Sequence, residues 1–313
     1  MRISAELRDL AAAAGFSALL FATGMLLPLI GPAAGFFSAA PLIWVAGRHG
    51  PLVGIIAGTL AAAALLPALP PPVVLIFALE HALPAWFLGW RIRRGRGIAA
   101  GSALAALVVT LLVTGTALLS AGRGEDPVQV LETQLRGSLA ELGGAATDGA
   151  SKGGGAAALS ANLEEILAFV RRVLPAVTLI GIFLECAFNS LLAARALARG
   201  GGAVRPLNLT GLKLPEWLVW ALIPALALSW APQSAVATVA LNVLLPLLLA
   251  YLLQGLSIVL HLAVRARLTP FAKTLYAAAL VFFPWLLAVP LMLGLLDFRF
   301  GFRERWPAEP PPV

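Results

Sequence analysis

Charge is what this chain has least of. Aspartate, glutamate, lysine and arginine make up 12% of its 313 residues, about half the share of an ordinary soluble domain. Cysteine occurs once, at Cys186, which excludes a disulfide framework or a cysteine-built metal site within one chain. Inside an apolar stretch that residue reads as a small packing group. Histidine occurs three times, at 49, 81 and 261, too scattered to make a good metal set. No GxxxxGK(S/T) phosphate loop, HExxH zinc pair or GxSxG nucleophile elbow is present. These absences argue against catalysis, and no metal or cofactor is expected.

What is abundant is apolar: 60% of the residues, with a mean hydropathy of +0.92. The apolar residues fall into nine stretches, at about 10–30, 33–46, 51–68, 72–90, 98–120, 166–195, 216–231, 235–262 and 271–296. A helix needs roughly 20 apolar residues to cross a bilayer. The runs are too long and too uniform for barrel strands, which alternate polar and apolar residues. The pattern predicts an all-α, polytopic transmembrane helix bundle of about nine spans. The second stretch is short and bracketed by Pro32, Pro41 and Pro51, so it also reads as one arm of a hairpin with the third.

Basic residues mark the cytoplasmic loops. With the N-terminus inside, 14 of the 22 lysines and arginines fall inside, including Arg48, Arg91, Arg93, Arg94, Arg96 and Lys213. Eight fall outside, and the last three (Arg299, Arg303 and Arg305) are the exception to the rule. The first stretch reads as a retained signal-anchor, because further spans follow it at once. The net charge of +7 and pI near 10.7 are explained by juxtamembrane residues that meet lipid headgroups. Membrane lipids are therefore the expected partner, and nucleic acid is not.

Composition divides the chain into a six-span part, 1–200, a cytoplasmic linker, 201–215, a three-span part, 216–300, and a Pro-rich tail, 301–313. An extracytoplasmic insertion, 121–165, separates the fifth and sixth spans. Within it, Asp126 and Pro127 open an amphipathic helix, 126–142, with Val128, Leu131, Leu135, Leu139 and Leu142 on one face. A Gly/Ala-rich tether, 143–160, follows. On the first span Ala14, Ala18 and Ala22 recur at the four-residue spacing that lets helices approach closely, which makes them a candidate docking or packing face. Gly54 and Gly58 do the same on the third. Seven tryptophans, among them Trp86, Trp90, Trp217 and Trp230, cluster near span ends as an interfacial belt. Pro175, Pro224, Pro246, Pro284 and Pro290 predict kinks.

Ionisable groups inside a span are costly and so mark function first. Glu80 lies 11 residues before Arg91, Glu185 lies 10 before Arg195, and Gln254 lies 11 before Arg265. Each is placed roughly 15 Å from its cytoplasmic cap, near mid-membrane. His81 follows Glu80 but points about 100° away, whereas Asn189 sits one turn from Glu185 on the same face. Glu80, His81, Glu185, Asn189 and Gln254 form the candidate intramembrane polar site. The carboxylate pair Glu80 and Glu185 is favoured as functional, suited to a cation, a cationic substrate group or a proton. His81, Gln254 and Asn242 read more readily as structural, and His261 as interfacial.

The C-terminal third closes with GLLDFRFGFR, after a long span containing Gln254 and Gly255 and a seventh stretch entered by LPEWLVW. This resembles the YybS-like predicted membrane proteins, a bacterial family of unknown function, with Gly294, Asp297, Phe302 and Arg303 fitting its pattern. The six-span part resembles the S component of energy-coupling-factor transporters. That resemblance implies a bacterial inner-membrane transport component with Ala14, Ala18 and Ala22 as its docking face. It also implies an unknown small-molecule ligand and an ATPase or coupling module as a separate partner. The alternative is a membrane scaffold or assembly factor whose polar residues only hold helices together.

Overall fold

The computed structural model describes residues 2–27, 31–121, 133, 155–200, 211–232 and 235–305. All its regular elements are helices. The chain divides into two compact units, Met1–Pro206 and Leu207–Val313.

The first unit contains α1 (Arg2–Leu26), α2 (Gly31–Phe36), α3 (Ala39–His49), α4 (Pro51–Leu65), α5 (Pro71–Phe77), a π turn (Ala78–Ala82), α6 (Leu83–Arg93), α7 (Ile98–Ala121) and α8 (Gly155–Arg199). Proline opens α4 and α5, where a missing N–H costs nothing. One residue, Gly50, joins α3 to α4 at φ 119° and ψ 167°, a conformation that glycine alone adopts readily. The second and third apolar stretches are thus a helical hairpin of 11- and 15-residue arms. The second stretch is itself divided, because the chain turns at Phe37 and Ser38 between α2 and α3. Ser17 on α1 donates to the Ser38 carbonyl at 2.7 Å, satisfying an acceptor at that break.

Small residues set the helix contacts. A Cβ added to Gly54 or to Gly89 would lie 2.5 Å from the Ala46 methyl, so α3 sits against α4 and α6 at glycine distance. On α1, Ala14 and Ala18 are buried and Ala22 is half-buried, while α1 packs on α2, α3 and α4. Of the alanine stripe expected as a packing or docking face, Ala14 and Ala18 pack inside their own unit, while Leu7, Phe16 and Leu19 face outward. Ala18→Leu is expected to destabilise the unit by about 1–3 kcal/mol through overpacking. Ala11→Leu, on an exposed position of the same helix, is expected to be near neutral. Detergent-solubilised thermal unfolding compares the two, and equal midpoints would contradict this packing.

The second unit contains α9 (Leu218–Ser229), α10 (Ala235–Arg265), α11 (Pro270–Phe282), a 3₁₀ turn (Pro284–Leu287), α12 (Ala288–Phe300) and the short α13 (Phe302–Arg305). The stretch expected as one ninth span is broken. Pro284 has no N–H to give, Phe283 leaves the helical region at φ −125° and ψ 78°, and the two halves meet at 112°. Pro290 lies in the first turn of α12, while Pro175, Pro224 and Pro246 lie inside continuous helices.

Among the described residues five helices are long and apolar enough to cross a membrane, or six if the bent pair counts as one span. The α9 helix has 12 residues, roughly 18 Å, against about 30 Å of hydrocarbon. Among the described residues the second unit thus holds one unbroken candidate span, α10, beside the bent pair, in place of the three spans expected. Lys213 and Glu304 pair at 3.1 Å, and Arg303 donates to the Leu212 carbonyl at 2.7 Å. The segment expected inside and the tail expected outside are therefore in contact with one another. Residues 211–215, expected as linker, belong to the second unit. The expected tether also ends early, since α8 begins at Gly155 with the helix-favouring run AAAL. The amphipathic helix 126–142 lies outside the described residues apart from Thr133.

Candidate functional site

The first unit's polar site is built on the π turn. The Leu83 N–H donates to the Ala78 carbonyl five residues back. Pro84 follows and has no N–H with which to continue the four-residue pattern. The widened turn carries both Glu80 and His81. His81 Nδ1 lies 2.6 Å from Glu185 Oε1 on α8, and both residues are more than nine-tenths buried. With Nδ1 protonated, the imidazole donates to the carboxylate. The Phe21 and Phe77 rings pack on His81 with centroids 5.2 and 5.7 Å away, keeping water from that side.

One turn along α8, Asn189 is fully buried. Its amide donates to the Phe36 carbonyl at 2.7 Å and to the Glu185 carbonyl at 2.9 Å. It thus ties α2 to the helix that carries Glu185. Its Oδ1 accepts no bond among the described residues, nor does the buried Ser190 hydroxyl. Phe36, Phe37 and Phe188 cluster beside it, with centroids 5.4–6.0 Å apart. Glu80 is half-buried and within electrostatic range of His81 and Glu185.

The site therefore joins Glu80, His81, Glu185 and Asn189, but its short contact is not the expected one between two carboxylates. Glu185 takes His81 as partner, the residue that points about 100° away from Glu80 round the helix. A buried imidazole and carboxylate sharing one proton, with a second carboxylate near, can bind or pass a proton. They can also hold a protonated amine. Among the described residues no group of three histidine, cysteine, aspartate or glutamate side chains is placed to hold a metal.

Gln254 belongs to the second unit, where it joins a different cluster. Its amide donates to Asp297 Oδ2 at 2.9 Å, and the Leu214 N–H donates to its Oε1 at 2.9 Å. Asp297 also accepts from the Phe302 N–H at 3.0 Å and from Arg303 at 3.3 Å. Gly301 takes the left-handed conformation, φ 54° and ψ 53°, that turns the chain so Phe302 and Arg303 come back to Asp297. Gly255 and Gly294 mark the crossing of α10 and α12, where a Cβ on either would strike the carbonyl of Pro290 or Tyr251. The closing GLLDFRFGFR is thus a clip that fastens α10, α12 and residues 212–214. The Glu304 contact raises the pKa of Lys213, but that pair is exposed and fastens little. An apolar groove of about 460 Å³ between α9 and α10, lined by Pro224, Ala225, Val239 and Val243, holds almost no polar surface.

Two units of apolar helices, one with a titratable cluster at its centre, define a polytopic membrane protein. The chain belongs to the family of predicted membrane proteins designated DUF2232, whose model matches residues 15–298. That match spans both units, whereas the resemblance read from sequence rested mainly on residues 205–305. No curated protein and no solved structure matches the chain.

Proposed function

We propose that this protein is the membrane component of a small-molecule transport system, with its site at Glu80, His81 and Glu185. The reading is carried by the 2.6 Å contact between His81 and Glu185. Removing such a pair from water costs several kcal/mol per ion, and apolar residues of similar volume would pack as well or better. A pair retained despite that cost points to work on a proton or a charged substrate.

The six-segment first unit is S-component-like in this reading and lies in a bacterial inner membrane. Its N-terminus is cytoplasmic, with Asp9, Arg48, His49 and Arg93 gathered at that end. Asp9 accepts from His49 at 3.0 Å and pairs with Arg48 at 3.5 Å, and Arg93 reaches the Arg48 carbonyl at 3.4 Å. An ATPase would be a separate protein and would meet an outward face other than the alanine stripe. A scaffold role is the second reading, favoured by the second unit, where Asp297, Gln254 and Arg303 bind one another and the backbone.

The test is substrate binding by this chain alone: the detergent-purified protein is exposed to a metabolite extract, and the species it retains through size exclusion are identified by mass spectrometry. The native protein is expected to retain at least one metabolite that the Glu185→Gln variant lacks. Identical retention by native and variant protein, or none by either, would favour the scaffold.

A further inference from the structure

We infer that the turn between α6 and α7 is a binding site for the phosphate headgroup of an anionic phospholipid. The segment Arg91–Gly97 reads RIRRGRG, with four guanidinium groups in six residues. It lies between two candidate spans, Pro71–Arg93 and Ile98–Thr116, so it sits at a membrane boundary. The turn is built rather than loose. The Gly95 N–H donates to the Ile92 carbonyl at 2.9 Å and the Arg96 N–H donates to the Arg91 carbonyl at 3.0 Å. With Gly95 at φ 63°, this is the paired pattern that closes a helix and reverses the chain.

The side chains are divided between two tasks. Arg91 lies along the first turn of α7, where a Cβ on Gly101 would be 2.5 Å from its Nε, and it donates to the Gly97 carbonyl at 3.0 Å. It holds the turn together. Arg93, Arg94 and Arg96 are exposed. Arg94 and Arg96 both lie over the Trp90 ring, 5.5 and 5.1 Å from its centroid, which gathers two positive groups at one indole.

None of the four arginines pairs with a carboxylate among the described residues, so the charge is uncompensated. An indole at a span end, with two guanidinium groups held over its ring, matches a phosphate that is tethered at the same depth. A lipid phosphate meets that condition by construction.

The measurement is native mass spectrometry of the full chain, titrated with phosphatidylglycerol and, separately, with phosphatidylcholine. The expected result is preferential retention of phosphatidylglycerol. Arg94→Gln with Arg96→Gln should weaken it about thirtyfold, from the usual contribution of two basic residues at an anionic surface. Arg94→Lys with Arg96→Lys keeps the charge and the membrane orientation but loses the paired donors, and should weaken it by a smaller factor. Equal binding of the two lipids, full retention by the glutamine variant, or full retention by the lysine variant would each overturn the site. Displacement of the lipid by inorganic phosphate would reassign it to a soluble anion and overturn the lipid proposal.

Discussion

Asp297→Ala is expected to cost the second unit about 3–5 kcal/mol, the usual penalty for removing one partner of a buried charge pair. The Asp297 side chain is 5% exposed and that of Arg303 16%. Without the carboxylate, the Arg303 guanidinium, the Gln254 amide and the Phe302 N–H all lose an acceptor together. Asn is nearly the same size, yet it recovers only part of the loss. Its one oxygen still accepts from Phe302, while its own NH₂ faces the donors of Gln254 and Arg303. Hydrogen exchange of the detergent-solubilised protein locates the effect: faster exchange over 212–305 and little change over the first unit. Slow exchange in the alanine variant would show that Asp297 is not the hub described above.

Gly294→Ala is expected to cost the same unit about 3 kcal/mol, although it adds only a methyl group. The new Cβ would occupy the space of the Tyr251 carbonyl, and backbone cannot step aside as a flexible side chain can. Overpacking of a tight core costs about 1–3 kcal/mol and occasionally more. Here the obstruction is main chain, so the upper end applies and α12 must lift from α10. Gly255→Ala meets the Pro290 carbonyl and should act in the same direction. Gly181→Ala provides the comparison, because a Cβ there meets nothing within 4 Å. Its helix should gain slightly, since alanine is the better helix former. If Gly294→Ala and Gly181→Ala unfold at the same temperature, the close crossing is wrong.

The membrane character was legible because composition alone carries it. Glu80 and Glu185 stood out because a carboxylate in an apolar run is conspicuous. Their true arrangement was hidden by local geometry. The divergence of Glu80 and His81 was readable from helix geometry, but which of them faces Glu185 is set by how the π turn packs against α8. Pro84 was the available signal, since a proline two residues after a helix break leaves a carbonyl without its donor. In the C-terminal motif the residues were visible but the mechanism was not. Gln254, Leu214 and Asp297 meet only through tertiary packing. Hydropathy likewise could not separate Pro284, which breaks a helix, from Pro175 or Pro246, which lie inside one.

The most direct test of the transport site is ligand retention: native mass spectrometry of the protein in lipid nanodiscs after exposure to a metabolite extract. The native chain should hold a small molecule that His81→Gln and Glu185→Gln both release, with thermal midpoints close to native. If all three hold the same species, or none, while remaining folded, the His81–Glu185 pair is helix glue and the transport reading fails.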